Sequence, residues 1–212
     1  TLLNKTYSGG LHGAIFSAVD IMSKSARQCE IIACVNPHSA VISLSRPSFF
    51  NALNDTALLL PDGIGIIVAS KLLVLGVNER VTGPDFFQTL LPELNKKSNS
   101  VFFLGSNPET LQKIQYRIAK EYPNIIFHGS ISPPFQEHFT SNQSADWIYQ
   151  INRLKPDILF VGMTAPKQEI WLSQNRKHLE VKCACAIGAA FDFYSEKHNR
   201  SPVALRRLGL EW

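Results

Sequence analysis

An α/β fold, with an open, mostly parallel sheet and helices on both of its faces, is the fold class that the sequence predicts. Six short apolar runs recur along the 212 residues, and most are continuously apolar, as in parallel strands covered on both faces. Segments with helical periodicity separate these runs, and such β–α alternation is typical of parallel sheets. No internal repeat or low-complexity linker interrupts the pattern, so we expect a single domain.

The predicted strands are rich in apolar and β-branched residues, and turn-forming residues flank them. In chain order they are EIIACV (30–35), ALLL (57–60), SVFFLG (100–105), NIIFHG (124–129), DILFVGM (157–163) and CACAIG (183–188).

Three of the predicted helices have recognisable ends. One begins after the third strand, with Asn107 as its N-cap and Pro108 as its first residue. The next, SADWIYQINRL, ends before Pro156, because a residue that precedes proline disfavours helical geometry. A third follows the fifth strand, with Pro166 near its start.

Composition and charge narrow the function classes. The chain is 45% hydrophobic, and its net charge of +4 is too small for a dedicated nucleic-acid binder, although it would tolerate anionic ligands or an anionic membrane surface. The four cysteines form no C-x-x-C pair, which predicts reduced, mostly buried thiols rather than a zinc site or disulfides. No apolar stretch is long enough to span a bilayer.

Ligands of open parallel sheets bind beyond the carboxyl ends of the strands, so the candidate site residues are sought in the turns there. Asp62, in the turn LPDGIG, has two interpretations. As an N-cap it would accept hydrogen bonds from the first N–H groups of the next helix, and the pattern alone favours this role. As a general base it would lie in an apolar crevice that raises its pKa, beside Gly63 and Gly65, whose missing side chains let a ligand approach closely.

Two other turns also allow a structural and a functional interpretation. In TAPKQE, Glu169 is expected to interact with the helix dipole, whereas Lys167 and Gln168 are candidates for binding an anion. In CVNPHS, Asn36 is most simply a turn residue, although its side-chain amide could bind a sugar or a base.

The segment RVTGPDFF contains a further candidate binding residue, and several common site motifs do not occur in the sequence. Thr82 or a neighbour is expected to cap a helix, and the guanidinium of Arg80 could bind a diphosphate bidentately. Val68 occupies the position of the third glycine of the dinucleotide fingerprint, and no Walker-type G-K-[ST] motif occurs. The chain also has no Asp-x-Asp pair and no G-x-S-x-G motif. We therefore predict no metal and no cofactor.

The C-terminal stretch NRSPVALRRLGLEW alternates basic and apolar residues. Such a basic amphipathic segment could lie on an anionic membrane surface, or it could be a domain helix with a solvated basic face. The pattern does not separate these alternatives.

Taken together, these motifs resemble those of the WecG/TagA/CpsF glycosyltransferases (glycosyltransferase family 26). The resemblance runs from about Asn36 to Trp212. The motifs that carry it, in chain order, are LLLPDGIGIIVASKLL, ERVTGPDFF, VFFLGSNPETL, HGSISPPF, DILFVGMTAPKQEIW and AIGAAFDFYSEKHNRSP. PDGIG alone is weak evidence, whereas G-x-x-A-P-K-Q-E followed by FDF is the most specific part.

The resemblance implies an inverting, metal-independent enzyme of the bacterial cytoplasm, peripherally associated with the inner face of the cytoplasmic membrane. It implies transfer of a sugar from a UDP-sugar donor to a polyprenyl-diphosphate-linked saccharide acceptor, for exopolysaccharide, capsule, teichoic acid or common antigen. Asp62 matches the family's proposed general base, and Asn36 and Gln168 match residues that line its site. Asp192, in FDF, is a further candidate substrate-binding residue.

Some positions depart from the family pattern. Cys34 stands where a threonine is usual, so a hydroxyl contact is missing or replaced, and Glu196 and Asn199 replace a glycine and a lysine. We expect residues 1–199 to form a Rossmann-like catalytic domain. We expect residues 200–212 to begin a membrane-associating appendage, truncated at Trp212, that includes Arg200.

The expected mechanism has Asp62 as the catalytic base. Arg80, Lys167 and Arg200 would bind the leaving diphosphate, and Cys34, Asn36 and Gly63 would contact substrate. The alternative is a non-catalytic, Rossmann-like module that binds a nucleotide or a nucleotide-sugar, whereas the broken glycine fingerprint disfavours an NAD-dependent oxidoreductase. We expect no nucleic-acid partner, and the sequence leaves open whether the protein is a homo-oligomer.

Overall fold

The fold is organised around one parallel sheet. The computed structural model describes residues 2–195, and in this range six strands pair in the order β2-β1-β6-β5-β3-β4. Every neighbouring pair is parallel, which confirms the predicted α/β class. The strands are β1 (Glu30–Val35), β2 (Leu58–Pro61), β3 (Ser100–Gly105), β4 (Ile126–Ile131), β5 (Ile158–Gly162) and β6 (Cys183–Ala186).

Helices connect the strands and cover both faces of the sheet. Within residues 2–195 they are α1 (Leu2–Lys5), α2 (Gly10–Ser23), α3 (Pro37–Ser45), α4 (Pro47–Asn54), α5 (Ile64–Leu72), α6 (Gly83–Lys96), α7 (Pro108–Glu121), α8 (Ser141–Leu154), α9 (Lys167–Asn175) and α10 (Ala190–Tyr194). The 3-10 turn Arg176–His178 follows α9.

Two hydrophobic cores lie on opposite faces of the sheet, because successive residues of a strand point to opposite sides. In β5, Ile158 and Phe160 belong to the core under α2, α6, α7 and α10. Leu159 and Val161 of the same strand belong to the core under α1, α4, α8 and α9. This two-sided burial explains why the strands are continuously apolar in sequence.

Most helices and strands begin and end close to the residues that the sequence predicted. Asn107 caps α7 as predicted, and its Oδ1 accepts a hydrogen bond of 2.8 Å from the backbone N–H of Thr110. The fourth strand is shifted: it spans Ile126–Ile131 rather than 124–129. This strand lies at one edge of the sheet and is only partly buried, and a register irregularity between Val101 and Phe102 interrupts its pairing.

The sequence also led to predictions about the cysteines, about membrane-spanning segments and about a C-terminal appendage. The four cysteines are free, and Cys29, Cys183 and Cys185 are buried, as their spacing predicted. Among residues 2–195, no helix is long and apolar enough to cross a membrane. Glu196, Asn199 and the predicted appendage 200–212 lie outside the described residues.

Candidate functional site

A cleft of about 790 Å³ opens at the carboxyl ends of the strands. The turn that follows each of the six strands contributes to its wall, as expected for a ligand site of a parallel α/β sheet. The predicted site residues that line it are Cys34, Asn36, Asp62, Gly63, Arg80, Lys167, Gln168 and Asp192. Arg200 lies outside the described residues.

Asp62 is half-buried at the end of β2, where its backbone N–H donates to the carbonyl of Val35 at 2.9 Å. The N-cap of α5 is Gly63, which has no side chain to accept a hydrogen bond. The interpretation of Asp62 as the N-cap is therefore wrong. Gly63 has a φ of 103°, a conformation that favours glycine, so the PDG sequence turns the chain sharply and leaves the carboxylate at the cleft wall.

Gly65 has a structural explanation rather than a role in the site. A Cβ at this position would lie 2.6 Å from Cγ of Pro37, so the glycine permits α5 to pack closely against α3. Only Gly63 of the two glycines lines the cleft within the described residues.

Asn36 joins β1 to the helix that follows it. It is the N-cap of α3, and its Oδ1 accepts a hydrogen bond of 2.8 Å from the backbone N–H of Ser39. Its side-chain nitrogen donates to no residue in the described part of the chain, so its two N–H groups are available to a ligand in the cleft.

Arg80 lies in the segment that precedes α6, and it lines the cleft. The backbone N–H of Val81 donates to the carbonyl of Pro61 at 2.8 Å, which fixes this segment beside the end of β2. Thr82 caps α6 as predicted, accepting a hydrogen bond of 3.1 Å from the backbone N–H of Asp85. The half-buried Arg80 and Asp62 are therefore placed on the same side of the cleft.

Lys167 is the first residue of α9, and its ammonium group extends toward the loop 132–140. Nζ donates to the carbonyl of Gln136 at 3.0 Å. It also lies 5.2 Å from the ring centroid of Phe135 and 6.0 Å from that of Phe139. These contacts hold the loop at the mouth of the cleft, and they leave further N–H donors of the ammonium for an anion.

Gln168 links two of the turns that form the cleft. Its Oε1 accepts hydrogen bonds from the backbone N–H groups of Met163, at 3.1 Å, and Gly188, at 3.2 Å. Its Nε2 donates to Oε1 of Glu169 at 2.8 Å. The side chain lines the cleft as predicted, yet most of its hydrogen-bonding capacity is used within the protein.

Glu169 is a candidate that the sequence analysis assigned only to the helix dipole. It is 3% exposed and lines the cleft, and its Oε2 has no hydrogen-bond partner among the described residues. Burial raises the pKa of its carboxyl group to about 7. The available signal in the sequence was its spacing from the buried Leu172, three residues later on the same helical face.

Cys34 lies near the end of β1 and lines the cleft together with Asp62 and Glu169. Burial raises the pKa of its thiol, and the carboxyl groups of Asp62 and Glu169 raise it further. The thiol therefore stays protonated at neutral pH. Where a threonine would offer a hydroxyl, this chain offers a weak S–H donor.

The wall of the cleft also includes α10. The half-buried Asp192 of this helix lines the cleft between Phe191 and Phe193. In the described range 2–195, no group of three or more His, Cys, Asp or Glu side chains is arranged to hold a metal ion.

Comparison of the sequence with known proteins identifies the family of this chain. The sequence model of the Glycosyl transferase WecG/TagA/CpsF family matches residues 11–212. A Bacillus subtilis (strain 168) protein named N-acetylglucosaminyldiphosphoundecaprenol N-acetyl-beta-D-mannosaminyltransferase is 32% identical over 183 residues, covering 86% of this chain and 69% of the relative. A Staphylococcus aureus (strain MRSA252) protein of the same name is 27% identical over 184 residues, covering 85% of this chain and 69% of the relative. The chain belongs to the WecG/TagA/CpsF family of glycosyltransferases.

Proposed function

We propose that this glycosyltransferase moves an N-acetylhexosamine from a UDP-sugar to a polyprenyl-diphosphate-linked saccharide, with inversion and without a metal ion. Its relatives are named as enzymes that transfer N-acetylmannosamine to N-acetylglucosaminyldiphosphoundecaprenol, and these names support the class of transferred sugar and the class of acceptor. An acceptor with a lipid tail supports a location at the inner face of the bacterial cytoplasmic membrane, where we expect peripheral association. The observation that carries the proposal is the convergence of Asp62, Arg80 and Lys167 on one cleft.

In the proposed reaction Asp62 acts as the general base. Its carboxylate accepts the proton of an acceptor hydroxyl, and that oxygen attacks the anomeric carbon of the donor. The bond from the anomeric carbon to the diphosphate oxygen breaks, UDP departs with the bonding electrons, and the configuration inverts. The transition state is expected to resemble an oxocarbenium ion, as in other reactions at an anomeric carbon.

The charge of the departing UDP requires fixed positive groups. Arg80 and Lys167 line the cleft, and the N-termini of α5 and α9, the positive ends of their helix dipoles, lie at the same edge of the sheet. We propose that Arg80, Lys167 and Arg200 bind the diphosphate, with Cys34, Asn36, Gly63, Gln168 and Asp192 as further substrate contacts.

The test of the proposed base is Asp62→Asn, with Asp146→Asn on the exposed surface of α8 as its control. Loss of a general base should reduce sugar transfer by roughly 10²–10⁴-fold, because the amide cannot accept the proton. The assay uses UDP-N-acetylmannosamine and a polyprenyl-diphosphate N-acetylglucosamine analogue, with and without EDTA. Undiminished transfer by a folded Asp62→Asn protein would remove Asp62 from the role, and inhibition by EDTA would contradict metal independence.

A further inference from the structure

The carboxyl group of Glu169 has an incomplete set of hydrogen bonds. Its Oε1 accepts from Nε2 of Gln168 at 2.8 Å, whereas its Oε2 is buried without a partner in the described chain. Buried polar atoms in folded proteins are nearly always paired, so a buried carboxyl oxygen without a protein partner, on a residue that lines a cleft, is a candidate to bind a group of a ligand. Glu169 is only 3% exposed and it lines the cleft, so a group seated inside the cleft is the candidate partner for that oxygen.

Gln168 fixes the orientation of this carboxyl group. Because Oε1 of Gln168 accepts two backbone N–H groups, those of Met163 and Gly188, its amide nitrogen must lie on the other side, facing Glu169. Met163 follows β5 and Gly188 follows β6, so the two central strands hold the arrangement. The oxygen that remains unpaired is therefore positioned in advance.

An interaction with the helix dipole does not explain this burial. An acidic residue in the first turn of α9 is stabilised by the dipole even on the surface, where the carboxylate stays hydrated. Burial without a second partner removes that hydration and costs stability. A role in binding would explain why the side chain lies within the cleft wall.

The neighbours of Glu169 indicate which part of a ligand it would meet. It follows Lys167, a proposed diphosphate-binding residue, by two positions, and its charge acts on the thiol of Cys34 together with that of Asp62. In the proposed reaction, the sugar of the donor lies between the base and the diphosphate. The titratable and charged groups that line the cleft around Glu169 are Cys34, Asp62, Arg80, Lys167 and Asp192.

We propose that Glu169 binds the transferred sugar of the donor, through a hydrogen bond between its Oε2 and a hydroxyl or N–H group of that sugar. This inference rests on the proposed function. Sugar hydroxyls can donate to a carboxylate or accept from a carboxylic acid, so either protonation state of the side chain completes the bond. Sites that use buried polar groups in this way discriminate strongly against ligands that lack the matching group.

The experiment compares UDP with UDP-N-acetylmannosamine as ligands of the same protein, by calorimetry. Glu169→Met keeps the length of the side chain and removes its polar atoms, and Glu169→Leu, which also has no polar atoms, serves if the methionine variant does not fold. We expect Glu169→Met to bind the UDP-sugar roughly tenfold to a hundredfold more weakly while its Kd for UDP stays unchanged. Glu180→Met and Glu180→Leu, at an exposed position, are the matched controls and should leave both Kd values unchanged.

The outcomes separate this inference from the proposed function. An equal loss of affinity for UDP and for the UDP-sugar would show a structural role, and no loss for either would show no contact, so both results overturn the inference. In both cases binding by the unaltered protein would leave the proposed function standing. Should the unaltered protein bind neither ligand, the proposed function fails and this inference fails with it.

Discussion

Asp62 and Glu169 are two carboxyl groups of one cleft with different surroundings. Asp62 is half-buried and reaches the cleft from the end of β2, whereas Glu169 is buried in the first turn of α9. The proposals above give these two groups separate roles: Asp62 as the base and Glu169 as a group that binds the donor sugar.

The buried carboxyl group of Glu169 should make stability depend on pH. Burial raises its pKa from the ordinary 4.5 to about 7, so on raising the pH the unfolded chain loses this proton first. The folded state is therefore penalised progressively between about pH 4.5 and 7, by up to about 3 kcal/mol once the group is ionised. Glu169→Gln should remove this part of the pH dependence, as measured by urea unfolding at pH 5 and pH 8.

The control for that measurement is Glu180→Gln, which changes an exposed carboxyl group. It should leave the difference in unfolding free energy between the two pH values as in the unaltered protein. If Glu169→Gln behaves in the same way, the carboxyl group is ionised in the folded protein at lower pH than its burial indicates.

Single residues were the hardest level to predict from sequence. The position of Asp62 at a strand end was evident, yet its interpretation as a cap was wrong, since the positive φ of Gly63 makes glycine the N-cap. Glu169 was assigned to the dipole because a sequence shows where a charge occurs and not how deeply it is buried. Its burial depends on Gln168 bridging two strand ends that lie far apart in sequence.

At the level of elements, α8 offers a direct test of a helix cap beside the cleft. Oγ1 of Thr140 accepts from the backbone N–H of Gln143 at 3.2 Å, and the backbone N–H of Thr140 donates to Oε1 of Gln143 at 2.9 Å. Thr140→Ala should lower the unfolding free energy by about 1 kcal/mol, because an N–H at the helix start loses its acceptor. Thr140→Ser keeps the hydroxyl and should retain most of the stability in the same denaturant titration. Equal losses in the two variants would assign the effect to the missing methyl group and not to the cap.

The elements themselves were largely predictable. All six strands occur at the apolar runs, because strands that are covered on both faces need continuous apolar sequence. Asn107 and Thr82 cap the helices that the sequence assigned to them. The shift of β4 was not predictable, because an edge strand is weakly specified by burial and its register depends on the bulge in its pairing with β3.

For the molecule as a whole, the two ends of the sheet carry different kinds of polar groups. At the amino ends, opposite the cleft, Asp157 accepts hydrogen bonds from the backbone N–H of Ser100 at 3.0 Å and from Asn99 at 3.3 Å. It also pairs with Lys182 at 3.2 Å. Burial alone would raise the pKa of Asp157, but these hydrogen bonds and the lysine lower it below 3.8. This network joins β3 to β5 and contributes no residue to the cleft.

Asp157→Asn should therefore reduce stability without changing the site. The loss of a charged acceptor is expected to lower the unfolding free energy at pH 7 by about 1–3 kcal/mol. Because the pKa of Asp157 is lower in the folded state, this stabilisation is present above about pH 4 and is lost as the pH falls further. The Kd for UDP-N-acetylmannosamine, measured well below the melting temperature, should match that of Asp146→Asn. A weaker Kd in Asp157→Asn alone would show that the two ends of the sheet are coupled.

The turn after every strand of the sheet contributes to the wall of the cleft. No subset of the strands can therefore form the whole cleft, and a ligand that contacts all of it binds only to completely folded chains. Saturating ligand should consequently raise the melting temperature of the entire cooperative unit rather than of one local segment. Thermal unfolding followed by fluorescence at a series of ligand concentrations would then report both the occupancy of the cleft by ligand and the folding of the whole domain.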